Sequence, residues 1–337
     1  MFKYTRKYGY INTKGEVVIP PVFPGAWMFS EFVAEVRQGN KMGYINKAGE
    51  FVLSPQFQAA SPFREGFALV RKQDVICVIS KQGSIVITDQ EDDIDWLSKD
   101  GFNEGLLCAG KLNGAKVGQC GYLGHDGKWA LRPDFGMVRP FRAGIAAFLD
   151  AKDTGMHGYI DKQGKIVIPP QFKEAYQFRN GVAFVTTPKL KAYLSRQGEY
   201  IFVDKKDEYA FLANFSDGLA RVVMKKRVSE RQSYVTGYIN TGGKFCIEPQ
   251  YYRGQDFSEG VAPVRRNHDS GWVYVDKSGK QVIEEEFYRA HPFSEGVAAV
   301  ATKTGDYSLI NRKGEYIVKG KFAFIGKMSE GMAIFTP

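Results

Sequence analysis

A glycine returns along the chain at a nearly fixed interval, and this constrains the fold more than any other feature. It stands at Gly15, Gly49, Gly83, Gly127, Gly164, Gly198, Gly243, Gly279 and Gly314, with neighbours 34, 34, 44, 37, 34, 45, 36 and 35 residues apart. A second mark, Phe-x-x-Gly, ends at Gly66, Gly105, Gly144, Gly181, Gly218, Gly260 and Gly296. Met328-Ser329-Glu330-Gly331 is its ninth copy, and Phe32 holds the glycine place in the first. In seven of the nine units the second mark follows the first by 17 residues. A chain with this period folds as stacked copies of one small supersecondary unit. That overrides the two ordinary domains its 337 residues would suggest. The units run roughly 1–38, 39–72, 73–114, 115–152, 153–188, 189–227, 228–267, 268–303 and 304–337, as one continuous array.

Each unit reads as β-structure. Gly158-Tyr159-Ile160-Asp161 is a short strand A, and Gly9-Tyr10-Ile11-Asn12 and Gly43-Tyr44-Ile45-Asn46 are its counterparts. The Lys-x-Gly that follows is a hairpin turn, where glycine supplies a positive φ that other residues resist. Lys165-Ile166-Val167-Ile168 is strand B, rich in β-branched residues. Pro20-Pro21, Pro55, Pro133, Pro169-Pro170 and Pro249 are expected to end it, since proline donates no ladder hydrogen bond. A loop with an aromatic (Phe57, Phe172 or Tyr251) leads to strand C, as in Val261-Ala262-Pro263-Val264 and Val297-Ala298-Ala299-Val300. C, the next A and its B then form an antiparallel meander across the repeat boundary. One meander buries too little surface to stand alone, so neighbouring units must stack.

These residues resemble the WG-repeat family, also called KWG repeats, along essentially the whole chain. The Gly-Tyr-Ile and Phe-x-x-Gly marks carry the resemblance. The place of the signature Trp holds Tyr8, Met42, Cys120, His157, Thr236 and Trp272, so only Trp272 keeps it, and Val273 replaces the glycine after it. The resemblance implies a β-rich, mostly bacterial binding module without shared catalytic residues. It also implies a role beside toxin or signalling domains, in which toxin neutralisation is conceivable.

Two all-β architectures suit the pattern, an open β-solenoid or superhelix and a closed β-propeller. Nine units exceed the four to eight blades typical of propellers. Units of 34 to 36 residues are also shorter than common blades. Met1 to Thr5 could act as a first strand C, removing the need for the last one, Met332-Ala333-Ile334-Phe335, to close a ring. The open form is therefore expected.

Glycine (37) and aromatics (14%) are abundant, as many short strands and tight turns require. The formal charge of +9 is spread along the chain and serves solubility as readily as an acidic partner. Cys77, Cys108, Cys120 and Cys246 make no CxxC pair and are expected to be small buried residues. The start, MFKYTRKYGYIN, lacks the apolar run of a signal peptide. No stretch is long and apolar enough for a membrane helix. With unpaired cysteines, this sets the expectation of a cytoplasmic protein away from membranes.

Insertions in repeat proteins fall on loops of one face, often the binding face. Four places break the rhythm: 88–100 with Trp96, the flexible basic 110–119, 204–209, and the strongly basic 224–234. Trp96 is the aromatic anchor of the functional reading, although it could equally pack on the core. Lys225, Lys226, Arg227 and Arg231 are the basic set. Glu31, Glu65, Glu104, Glu259, Glu295 and Glu330 recur just before strand C, where a carboxylate can bind backbone donors of the turn, and recurrence argues for a structural duty. His125, His157, His268 and His291 hold unrelated repeat positions, so no metal spacing emerges. No phosphate loop or catalytic set stands out, and neither cofactor nor enzyme activity is expected. The expected partner is another protein, met through an exposed aromatic-and-arginine patch. Nucleic acid at the basic loop ranks second, and a ligand or enzymatic site in a closed propeller third.

Overall fold

The structure, a computed structural model, describes residues 6–90, 94–113, 116–150, 154–228 and 231–337. Among these there is no helix, and the strands form nine four-stranded antiparallel sheets. Strand C leads into the next A and then B, as the sequence predicts. A further strand, here D, adds to the free side of C; it has two residues in eight sheets and eight, Tyr209–Ser216, in the ninth. In one sheet the order is Arg289–Ala290 (D), Val297–Ala301 (C), Tyr307–Asn311 (A) and Tyr316–Phe322 (B). Every first-mark glycine has positive φ, from 74° at Gly15 to 87° at Gly279, as the turn reading requires.

The open solenoid is not what forms. The last strand C, Met332–Thr336, pairs with the first A, Tyr8–Asn12, placing Ile334 opposite Tyr10. One sheet is thus built from both chain ends, in the order Val17–Phe23, Tyr8–Asn12, Met332–Thr336, Phe324–Ile325. The fold is a nine-bladed β-propeller. Closure pairs two strands that an open stack would leave as exposed edges. Residues 1–5, the alternative first C, lie outside the described residues.

By compactness the chain divides into Met1–Pro55 with Glu208–Pro337, and Gln56–Asp207. Within each unit, cores form between consecutive sheets. In Gln56–Asp207, Ile145, Ala147, Tyr159, Ile168 and Phe172 of one sheet pack on Ala183, Val185, Ala192 and Leu194 of the next. In the other unit, Tyr10, Ile19 and Phe23 pack on Ala34, Val36 and Ile45. Each large apolar side chain buried this way contributes roughly 1.5–3 kcal/mol. No sheet has a core of its own, which is why the units must repeat.

The prolines do not end strand B. It runs through them, as Val17–Phe23, Phe51–Phe57, Trp129–Phe135, Ile166–Phe172 and Phe245–Tyr251. B is the edge strand of its sheet, and its register against A breaks where the prolines lie: Tyr159 pairs with Ile168, but His157 pairs with Phe172. A bulge on an edge needs no donor there. The same bulge explains the glycine before the signature Tyr. A Cβ on Gly158 would stand 2.7 Å from the Ile168 carbonyl oxygen, and one on Gly121 2.3 Å from that of Leu131. The Tyr beside it is fully buried, and its hydroxyl donates to a carbonyl 17 residues on. The pairs are Tyr10 to Trp27, Tyr122 to Arg139, Tyr159 to Tyr176, Tyr238 to Gln255 and Tyr274 to His291.

The recurring carboxylates stitch units together, though to the next unit's turn and not their own. Glu65 accepts from the backbone N–H groups of Glu104 (2.6 Å) and Gly105 (2.8 Å). Glu295 accepts from those of Glu330 and Gly331, both at 2.6 Å. The clasp recurs from Glu104 to Gly144, Asp217 to Gly260, Glu259 to Gly296 and Glu330 to Phe32. A basic side chain from the A–B turn two units on joins most of these carboxylates: His125 on Glu65, Lys162 on Glu104, Lys277 on Asp217, Arg312 on Glu259 and Lys47 on Glu330.

Candidate functional site

The basic insertion of 224–234 becomes the top of a long hairpin. Its strand C, Leu219–Val228, and its A, Arg231–Asn240, pair over ten rungs from Leu219 opposite Asn240 to Val228 opposite Arg231. Side chains directly opposite share a face, and successive ones alternate. Arg221, Val223, Lys225 and Arg227 therefore share one face with Tyr234 and Thr236, while Lys226 lies on the other. Lys226 and Arg227 are exposed, and Lys225 is half-buried. The side chain of Arg231 and residues 229–230 lie outside the described residues.

This face walls a groove of about 530 Å³ whose other side comes from the next sheet. The lining includes Arg221, Tyr234, Tyr252, Arg253 and Trp272. Tyr234 is 48% exposed. Arg221 lies 5.2 Å from the centre of the Phe211 ring and pairs with Asp256 at 3.0 Å. Arg253 and Arg265 lie 5.5 and 5.8 Å from the centre of the Tyr252 ring. Such contacts hold guanidinium groups in place, and Arg265 is also tied down by donating to the carbonyls of Ser270 and His268. The groove thus joins a cationic rim to aromatic faces, the chemistry that grips acidic segments with an apolar residue among them. Trp272, the one retained signature tryptophan, lines it, and so do Tyr252 and Arg253. No insertion or charge run marks these three in the sequence. Only the pairing of neighbouring sheets brings them to the hairpin.

Trp96 lies elsewhere. It opens the D strand Trp96–Leu97 and packs, half-buried, against the core of Leu106, Cys108, Cys120 and Tyr122. It lies within Gln56–Asp207, and Lys225, Lys226 and Arg227 belong to the other compact unit. Residues 91–93 beside it lie outside the described residues, as do residues 114–115 of the 110–119 insertion. Cys77, Cys108 and Cys120 are buried as expected, but Cys246 is exposed. It lies in the edge strand Phe245–Tyr251, where alternate residues face out.

A second cavity, of about 420 Å³, is lined by Ser258, Ser294 and His291. Its hydroxyls are committed. Ser258 donates to the Phe293 carbonyl at 2.7 Å, and Ser294 to that of Met328 at 2.9 Å. Burial, and then the nearby Arg289, hold the His291 imidazole below its ordinary pKa. Burial also pushes up the Cys108 thiol and the Tyr274 phenol, which are sealed in the core. Among the described residues no group of three or more His, Cys, Asp or Glu is arranged to hold a metal ion. Among the described residues no helix is long and apolar enough to cross a membrane.

Nine meandering sheets closed by the two chain ends define a β-propeller. The chain belongs to the WG-repeat family: the WG containing repeat matches residues 8–41, 42–74, 158–187, 237–267, 272–302 and 307–336, more than half of the length. A crystal structure of the eukaryotic initiation factor is similar over 99% of this chain and 98% of its own, with a TM-score of 0.62 and 10% identity. At that identity the likeness shows the fold alone. Kluyveromyces lactis Hsv2p (TM-score 0.41, 8% identity, 85% of this chain and 92% of that one) and BamB from Moraxella catarrhalis (0.39, 9%, 93% and 96%) are too distant to carry an argument. No curated protein matches the chain in sequence.

Proposed function

We propose that this protein is a non-catalytic binding module that holds an acidic segment of a partner protein in the groove beside the long hairpin. The observation that carries this reading is the groove where Arg221 and Arg253 meet Tyr234, Tyr252 and Trp272, with Lys225 and Arg227 further along the same face of the hairpin. Aromatic and arginine side chains dominate the energetics of protein interfaces. Cations at the rim steer an acidic partner in and make its association fall with salt. An adaptor or a toxin-neutralising role would run through the same surface. Basic groups interleaved with stackable rings also suit single-stranded nucleic acid, which makes that the second reading.

The test is fluorescence anisotropy with two labelled probes, a glutamate-rich peptide carrying one Trp and a single-stranded oligonucleotide. The peptide is expected to bind, and the double variant Arg227→Glu/Arg253→Glu to weaken it by about a hundredfold, near 3 kcal/mol. Peptide binding unchanged by the charge reversal overturns the proposal. An oligonucleotide held more tightly than the peptide, and released by the same variant, replaces it with the second reading.

A further inference from the structure

The clasp that joins successive units lacks its acid in two places, and in one of them a cation is left over. Where seven units carry Glu or Asp before the second-mark glycine, the fourth carries Ala143. Its backbone has the clasp conformation all the same: φ is 53° at Ala143, 54° at Glu259 and 55° at Glu295. The basic partner is also in place. The Arg196 guanidinium lies 3.8 Å from where a Cβ on Gly144 would stand, and the Arg312 guanidinium lies 3.8 Å from the corresponding point on Gly260. Arg312 pairs with Glu259. Arg196 has Ala143 in that place, and no carboxylate reaches it among the described residues. The backbone donors of the next unit's turn, the N–H groups of Asn180 and Gly181, likewise have no acceptor there. Their counterparts Glu330 and Gly331 both bond to Glu295. Arg142 precedes Ala143 and Arg179 precedes Asn180, adding positive charge, and the buried Nε of Arg142 has no hydrogen-bond partner. The fifth unit also lacks the acid, with Asn180, but the residue two units on is Thr241, so no cation is left over there.

We infer that this unfilled clasp is a binding site for a carboxylate supplied from outside the chain. Two adjacent N–H donors and a guanidinium match a planar carboxylate, as the internal clasps demonstrate, and hydrogen bonds to a charged group are the stronger kind. The site is exposed, so water competes and one carboxylate binds weakly. The source is either an acidic side chain of a partner or a free small carboxylate. The inference does not depend on the groove, because all its residues lie within Gln56–Asp207 and the groove within Glu208–Pro337.

The experiment is a titration of the isotope-labelled full chain, followed by the amide resonances of Asn180 and Gly181. Acetate is one probe, a capped tri-glutamate peptide the other, and chloride at equal ionic strength the control. Acetate should move both resonances saturably, and Arg196→Gln should weaken its binding by about fivefold or more. Ala143→Glu should abolish the response and raise Tm, since it supplies the missing acid on a backbone already in the right conformation. A peptide held about tenfold more tightly than acetate would identify acidic side chains as the source, by multivalency. Equal affinities would identify free carboxylates. The inference is overturned if acetate shifts these resonances no more than chloride does, or if the Ala143→Glu variant responds like the parent.

Discussion

Two C–A hairpins of the same compact unit hold the same place in their sheets and differ in length. Val297–Ala301 with Tyr307–Asn311 makes five rungs, and all of Val297–Ala301 is buried. Leu219–Val228 with Arg231–Asn240 makes ten. Its lower half matches the short hairpin, with Leu219, Ala220, Val222, Tyr238 and Ile239 in the core. Beyond that, Lys226, Arg227 and Tyr234 are exposed. The lower rungs are held by packing against neighbouring sheets and tolerate little change. The added rungs keep the ladder hydrogen bonds but have no core duty, so they are free to carry charge and rings. Repeat architecture separates the two tasks along a single pair of strands.

The largest expected effect tests the lower rungs. Gly237→Val, in the lower half of the long hairpin, puts a branched side chain 2.7 Å from the Pro249 backbone nitrogen and should cost about 3 kcal/mol or more, read as a fall in the denaturant midpoint. A loss under about 1 kcal/mol would mean that the bulge yields and the comparison fails. Next comes Glu35, a carboxylate 2% exposed at a core rung, with one oxygen lacking any partner. Burial raises its pKa from 4.5 to about 7. The folded chain therefore holds a proton there that the unfolded chain gives up. Stability should be greatest below pH 4.5 on this account and should fall as pH rises to about 7, by on the order of 3 kcal/mol. Glu35→Gln should flatten that slope in denaturation curves taken across this range, and an unchanged slope would show that Glu35 is not its source. The smallest effect belongs to the added rungs. Lys226→Ala with Arg227→Ala should change stability by no more than about 0.5 kcal/mol. A larger loss in thermal melts would show that the upper rungs support the core after all.

Legibility followed the same divide. The two marks gave nine units, and strands A, B and C formed where the glycines, β-branched runs and Phe-x-x-Gly put them, because turn chemistry and alternation are local. Proline was misread as a terminator because its missing donor matters only if the strand has a partner on that side, and edge position is a tertiary fact. The acid before strand C was rightly seen as structural, but its partner was sought in its own turn. Of the candidate site, Lys225, Lys226, Arg227 and Arg231 were visible as a charge run. Tyr234 lay within the basic insertion without being singled out as a site residue. Tyr252, Arg253 and Trp272 were not visible, since each belongs to a regular unit.

By itself, the sequence determined the unit, its number and the strands within it, since those follow from side-chain period and from positions where only glycine is comfortable. Whether the chain closes depended on Met332–Thr336 meeting Tyr8–Asn12 across the whole length, and no local preference encodes a meeting of chain ends. The groove and the unpaired Arg196 were decided in the same way. Each arises from residues in different repeats, made neighbours only when the oily faces of successive sheets are pressed together.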